Sequence, residues 1–250
     1  MKMIELIPMV QDEKLSEIYL REKGILKTFK KCEKCGSDKL GMIRNDRWKC
    51  YSCKAEWSRR RDSILSLVRI KYSEFLICLK CFDIEMSAER CSEELNIERR
   101  TIQDLFTEFR NCICYETTLI SDKKLKEVIG SIGIQLLGNQ VRIILPDEID
   151  QQNDSDIIVT RKRIPNGPVI FNFDFSHLRS KVNLNTSKSK FSKLGIFWRF
   201  ANPRLNLFKG TTPSSVLLYL KEIEFRYNSQ NERFLGLLVN KIAQNYNVGR

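Results

Sequence analysis

Apolar residues recur at helical spacing through the first half of the chain. Between residues 63 and 83 they fall three and four positions apart, which predicts an amphipathic helix with one buried face. The residues that set this pattern are Leu65, Val68, Tyr72, Phe75, Leu76 and Leu79.

The stretch MSAERCSEELNIERRTIQDLFTEFRNC predicts two helices joined by a tight turn. Ser87 can cap a first helix that runs to about Leu95, and Asn96 tolerates the left-handed conformation of a turn. A second helix is expected over residues 98–110. This is the layout of a helix-turn-helix, which would direct Arg99, Arg100 and Gln103 toward a DNA groove. The alternative is the solvated face of an ordinary helical hairpin.

The pattern becomes β-like from about residue 141. Short apolar runs at 141–145, 156–163 and 168–175 predict strands, and the third run alternates in part. Helical spacing returns over 216–227 and again around 234–242. Strands that are followed by helices imply an α+β or α/β domain, so the chain as a whole is expected to be α+β.

Composition narrows the class of protein. With 42% hydrophobic and 30% charged residues the chain is expected to be globular. Its single histidine, His177, rules out a histidine-rich metal site. No apolar run approaches the roughly 18 residues of a membrane span, and the start MKMIELIPMVQDEK meets acidic residues too early for a signal peptide. We therefore expect no membrane partner and an intracellular protein.

The net charge of +12 is concentrated in two segments. Residues 21–63 carry 14 Lys/Arg against 6 Asp/Glu, and residues 159–210 carry 11 against 1. Between them, residues 144–158 hold five acids and no base. Clustered Lys/Arg displace counterions from a phosphate backbone, so this pattern favours a polyanionic partner such as double-stranded DNA. The alternative is a solvated basic surface.

Four of the nine cysteines have the spacing of a metal site. Cys32-x2-Cys35 and Cys50-x2-Cys53 are separated by fourteen residues, and each pair can point two thiolates at one ion. This predicts a zinc ribbon with a closed, structural Zn²⁺ site. Two disulfides are the alternative, but nothing marks the chain as secreted. The other five cysteines lie in apolar segments and are expected to be buried thiols.

Three arginines directly after the second cysteine pair are candidates for phosphate contacts. Arg59, Arg60 and Arg61 are consecutive, and their alternative role is a solvated linker or a nuclear-import signal. The two tryptophans beside that pair, Trp48 and Trp57, are expected to pack in the ribbon rather than to stack on bases.

The chain is thus expected to divide into four parts. They are an N-terminal helical segment (1–29), the four-cysteine ribbon (30–60), a helical domain with the helix-turn-helix (61–128) and a C-terminal domain (129–250).

Together these motifs resemble the transposases of the Merlin family of eukaryotic DNA transposons and their bacterial insertion-sequence relatives. YLREKGIL, RWKCYSC and SRRRDSIL are similar to that family's ribbon and its exit. The helix-turn-helix segment is similar too, with Asn96 where Gly is usual. GIFWRF and YLKEIEFRYNSQNERFLGLL resemble its last two motifs. The resemblance covers residues from about 19 to the end, and it implies an incomplete ribonuclease-H-like (DDE) domain, a homodimer and a nuclear location in a eukaryote, or a cytoplasmic one otherwise.

The resemblance also implies three catalytic acids that hold two Mg²⁺ or Mn²⁺ ions. Asp150 and Asp174 match the first two positions, although only 23 residues separate them, which is far fewer than in the family. The third acid would lie three residues before Trp198, and Gly195 stands there. Glycine has no side chain to bind a metal, so the acids are expected to be relics.

The sequence therefore predicts a transposase-derived DNA-binding protein that holds structural Zn²⁺ and is catalytically inactive. Two alternatives stay open at this point. One is an active metal-dependent transposase whose third acid comes from elsewhere, for example Glu222. The other is a zinc-ribbon adaptor that binds another protein.

Overall fold

The fold is α+β, as the sequence predicts, and the described part of the chain is mostly helical with two small antiparallel sheets. The computed structural model describes residues 3–44, 46–114, 131–137, 140–144, 170–174, 193–205, 213–230 and 233–247. The chain forms two compact units: one comprises Met1–Cys112 with Arg233–Arg250, and the other comprises Ile113–Glu232. No helix within these described ranges is both long enough and apolar enough to cross a membrane.

The first unit begins with a helical hairpin, in agreement with the predicted helical segment. Helix α1 (Met3–Gln11) is followed by α2 (Glu13–Glu22). Asp12 caps α2 because its carboxylate accepts a hydrogen bond of 2.8 Å from the backbone N–H of Lys14. Leu6 and Leu20 are buried on the inner side of the hairpin.

A three-stranded antiparallel sheet follows the hairpin. Its strands are β1 (Leu40–Ile43), β2 (Arg47–Cys50) and β3 (Glu56–Ser58), in the order β1-β2-β3. One face of the sheet, which includes Trp48 paired with Trp57, joins a small core formed by Phe29, Cys32, Cys50 and Trp57. The tryptophans therefore pack within this module, as expected.

The helical core of the first unit is built on aromatic side chains. Helix α3 (Tyr72–Asp83), α4 (Ala88–Leu95) and α5 (Arg99–Cys114) follow in the chain, and the C-terminal helix α8 (Phe234–Asn247) packs against α3. The ring of Phe82 lies 5.2 Å from that of Phe106 and 5.3 Å from that of Phe109, edge to face in both pairs. Such edge-to-face contacts are favourable for aromatic side chains and hold α3 against α5.

The predicted helix over residues 63–83 is wrong in its first half. Residues Ile64–Ser66 form one 3-10 turn, and α3 begins only at Tyr72. Ile64 and Leu65 are fully buried nevertheless. Their apolar spacing therefore reflects burial in an irregular segment rather than a continuous helix.

The turn between α4 and α5 confirms the predicted local geometry. The hydroxyl of Ser87 accepts a hydrogen bond of 3.2 Å from the backbone N–H of Arg90, which caps α4. Asn96 ends α4 in the left-handed conformation, with φ 49° and ψ 45°. The chain can therefore reverse into α5 without glycine.

In the second unit, the described residues form the other sheet and two further helices. Strands β4 (Ser131–Leu137), β5 (Gln140–Ile144) and β6 (Ile170–Asp174) are antiparallel in the order β5-β4-β6. The helices are α6 (Lys193–Leu205) and α7 (Pro213–Asn228). The strands expected near 141–145 and 168–175 are thus present, the sequence does not predict β4, and the run at 156–163 lies outside the described residues.

Candidate metal centre

The four cysteines lie on two turns that have the same backbone hydrogen-bond pattern. In the first, the carbonyl oxygen of Cys32 accepts a hydrogen bond of 2.8 Å from the N–H of Gly36. In the second, the carbonyl oxygen of Cys50 accepts a bond of 2.9 Å from the N–H of Lys54. Gly36 and Lys54 are both left-handed, with φ of 72° and 62°. Each turn therefore presents its two thiols on the same side.

The sulfur atoms have the separations that a tetrahedral zinc site needs. All four Sγ atoms lie within 4.8 Å of one another, and the Cys32–Cys53 and Cys35–Cys50 pairs are both 3.6 Å apart. A tetrahedron with Zn–S bonds of about 2.3 Å has edges of about 3.8 Å. The donor set therefore fits one ion such as Zn²⁺. Four thiolate ligands would leave this ion no open coordination position for catalysis.

Hydrogen bonds within the cluster shift the pKa values of two thiols, Cys50 and Cys35, in opposite directions. The pKa of Cys50 is lowered to about 6, first by a hydrogen bond from the backbone N–H of Cys53 and then by one from Ser52. The backbone of Ser37 lowers the pKa of Cys35, but hydrogen bonds with the neighbouring cysteines, Cys53 foremost, outweigh this effect and raise that pKa to about 12. A bound cation would favour the thiolate form of Cys35 as well, because metal ligands must be deprotonated.

The structure does not adopt the disulfide alternative. All nine cysteines are unbonded, and the closest sulfur atoms of this cluster are far beyond an S–S bond length of about 2.05 Å. Of the other five cysteines, Cys78, Cys81, Cys91 and Cys112 are buried, as expected, and Cys114 is half-buried. A hydrogen bond with Cys78, together with burial, raises the pKa of Cys91 to about 12, although a hydrogen bond with Cys81 acts in the opposite direction.

The three arginines beside the ribbon have unequal surroundings. Arg59 is only 15% exposed and forms ion pairs with Glu17 and, at 3.2 Å, with Asp46. The guanidinium of Arg60 lies 4.8 Å from the centre of the Tyr72 ring. Arg61 is 47% exposed and pairs with Glu33 at 3.2 Å. Arg59 therefore connects the ribbon to α2, and Arg61 is the most accessible of the three.

The candidates on α5 lie at its exposed N-terminal end. Arg99 is 57% exposed and pairs with Glu89 at 2.8 Å. Arg100 is 84% exposed, with Asp104 at 4.0 Å as its partner. Gln103 is exposed as well. All three can reach a ligand, although acidic neighbours offset the two positive charges.

The proposed catalytic positions are not brought into a described cluster. Asp174 is the last residue of β6, opposite Ser131 of β4. Gly195 lies in the first turn of α6. Asp150 is outside the described residues. Within the described part of the chain, the four-cysteine cluster is the one group that meets the geometric requirement for holding a metal.

Sequence reasoning missed a set of exposed lysines around the cysteine cluster. Five exposed lysines lie within four residues of a cysteine of the cluster, and none has an ion-pair partner among the described residues: Lys30, Lys31, Lys34, Lys39 and Lys54. The basic charge of residues 21–63 signals them, but only the structure separates them from the arginines that are engaged in ion pairs.

The fold and the site thus define an α+β chain with a four-cysteine cluster that can hold a metal such as zinc. In comparisons with protein-family models, with curated proteins and with solved structures, nothing matches this chain.

Proposed function

We propose that this chain is a zinc-stabilised protein that binds double-stranded DNA, derived from a transposase and lacking its catalytic activity. The observation that carries the proposal is the set of five exposed lysines around the cysteine cluster. These exposed ammonium groups have no ion pair among the described residues that must break before they contact a phosphate backbone, and each contact releases a condensed counterion. In contrast, Arg59 and Arg61 would have to break their ion pairs before they could bind a phosphate.

Helices α4 and α5 support the same proposal. Their tight turn at Asn96 leaves Arg100 and Gln103 exposed on the first turns of α5. In a helix-turn-helix, this end of the second helix contacts base edges in the major groove. In this proposal the lysines of the ribbon hold phosphates, and α5 reads the sequence.

The proposed loss of catalysis rests on the missing third acid. Gly195 has no side chain, and a two-metal reaction needs carboxylates to hold both ions. The proposal expects no DNA nicking or joining with Mg²⁺ or Mn²⁺. A metal-dependent nick that Asp174→Ala removes would instead favour the active transposase.

Salt-dependent binding to a labelled DNA duplex tests the DNA-binding part of the proposal. The logarithm of the association constant should fall linearly with the logarithm of the salt concentration. Replacing both Lys31 and Lys34 by glutamine should make this slope shallower by about 2, since each phosphate contact contributes about 1. Fluorescence anisotropy at several salt concentrations measures both quantities.

The matched control is Lys14→Gln, which removes one exposed lysine from α2 and away from the cysteine turns. It should leave the slope unchanged. If the ribbon and control substitutions change the slope equally, the lysines of the ribbon contribute only general surface charge and make no specific phosphate contacts. Absence of duplex binding at about 100 mM salt, where several phosphate contacts should still hold, would favour the adaptor alternative.

A further inference from the structure

The solvent-exposed face of the ribbon sheet combines basic side chains with one aromatic ring. In an antiparallel sheet, paired residues share a face and alternate residues point to opposite faces. Because Trp48 and Cys50 point into the small core, their neighbours Arg47 and Lys49 point outward. The only acid that the strand pairing places on this outer face is Glu56, which pairs with Lys49 at 2.9 Å and with Arg47 at 3.9 Å.

Tyr51 lies across this face. A β-carbon built on Gly41 would lie 2.6 Å from both Cε2 and Oη of Tyr51, so the phenol ring occupies the space that a side chain at position 41 would need. Gly41 pairs with Lys49 on the outer face. The residue Tyr51 is nevertheless 51% exposed. Its ring is therefore supported on the sheet by Gly41 and remains open to solvent.

Basic residues lie beside the ring and along the rest of this face. The backbone N–H of Tyr51 donates a hydrogen bond of 2.9 Å to the carbonyl oxygen of Lys39, so Lys39 lies beside it at the end of the sheet. Arg44, in the turn between β1 and β2, is exposed as well. Together with Arg47 and Lys49, these residues give the outer face an excess of positive charge over Glu56.

From this arrangement we propose that the outer face of the ribbon sheet, formed by Tyr51 on Gly41 with Lys39, Arg47 and Lys49, binds single-stranded nucleic acid by stacking an unpaired base on Tyr51. This inference rests on the proposed DNA-binding function and adds a second kind of ligand to it. Duplex bases stack on each other and offer no open ring face, whereas an aromatic ring on a basic sheet suits an unpaired base with phosphates alongside.

Gly41 allows the ring to be moved without removing it. Gly41 has no left-handed backbone conformation, so Gly41→Ala is compatible with a strand. The added β-carbon would contact the far end of the Tyr51 side chain, which can swing away at little cost to the sheet. Gly41→Ala and Tyr51→Ala should therefore have the same effect on binding, while Tyr51→Phe keeps the ring in place.

Fluorescence anisotropy of the full zinc-loaded chain tests the proposal with a 15-nucleotide oligothymidine and a 15-base-pair duplex as probes. We expect the wild type to bind the oligothymidine, and Tyr51→Ala and Gly41→Ala to weaken that binding about tenfold. Tyr51→Phe should stay close to the wild type. Duplex binding through Lys31, Lys34 and α5 should be unchanged in all three variants, and equal zinc contents show that the ribbon is intact.

The outcomes separate this inference from the proposed function. A wild type that binds the duplex but not the oligothymidine overturns the inference and leaves the proposed function standing. The inference also fails if Tyr51→Ala and Gly41→Ala bind oligothymidine as tightly as the wild type. If the wild type binds neither probe, both this inference and the proposed DNA-binding function are wrong.

Discussion

Gly36 and Lys54 occupy equivalent positions in the two cysteine turns, but only glycine adopts the backbone conformation of these positions without steric cost. Both adopt positive φ, which costs a residue with a β-carbon about 1–2 kcal/mol relative to glycine. Gly36→Ala should therefore lower the free energy of unfolding by about 1 kcal/mol, since open space around Gly36 leaves backbone strain as the only penalty. Urea denaturation of the zinc-bound chain, followed by tryptophan fluorescence, measures the change.

Gly236→Ala is a matched control for this substitution. Gly236 lies in helix α8, also with open space around its α-carbon, but without positive φ. There the same substitution should stabilise the protein by up to about 1 kcal/mol, because alanine favours a helix. If Gly36→Ala were as stabilising as Gly236→Ala, the left-handed geometry of the first turn would be wrong.

At the residue scale, the sequence predicts those features of the site that depend on the spacing of residues close together in the chain. Cys32, Cys35, Cys50 and Cys53 are identified because a tight turn brings the cysteines of each pair together, and their clustering is confirmed. The surroundings of Arg59 are not predictable in this way. Its partner Glu17 is 42 positions away in the chain, so only the tertiary fold distinguishes Arg59 from its neighbours.

At the element scale, a carboxylate from another helix fixes the start of α3. The two oxygens of Glu13 accept hydrogen bonds from the backbone N–H groups of Tyr72, at 2.5 Å, and of Ser73, at 3.1 Å. A charged acceptor at a helix N-terminus satisfies free donors and complements the helix dipole. Glu13→Ala should therefore lower the free energy of unfolding by about 2 kcal/mol, which chemical denaturation would detect.

The control for Glu13 is Glu22→Ala, at the exposed end of α2. A surface substitution of this kind should change stability by no more than about 0.5 kcal/mol. Equal effects of the two substitutions would mean that Glu13 does not cap α3. This cap helps to explain why the predicted helix over 63–83 starts too early, because Glu13 lies 59 positions before Tyr72. The α4–α5 turn, in contrast, carries its own signals in Ser87 and Asn96.

At the scale of the whole molecule, the first unit has two cores of different kinds. The ribbon core consists of Phe29 and Trp57 with two cysteines of the cluster, whereas α3 and α5 share several aromatic contacts. Structural Zn²⁺ contributes about 10–16 kcal/mol of binding free energy in small zinc-dependent peptides, more than so small a core can supply. The ribbon should therefore depend on the metal for its stability, and the helices should not.

Metal removal distinguishes these two cores. Chelation, or Cys50→Ser, should release about one zinc per chain and unfold residues 32–57, since the remaining thiols cannot close a tetrahedral site. Tryptophan emission should shift to the red because Trp48 and Trp57 both lie in the ribbon, while the helical circular dichroism signal persists. Acid should have the same effect, because protons compete with zinc for the thiolates. As a control, Cys114→Ser, which lies outside the cluster, should retain zinc. If chelation removed the helical signal together with the metal, the ribbon and the helices would form one cooperative unit through contacts such as Arg59 with Glu17.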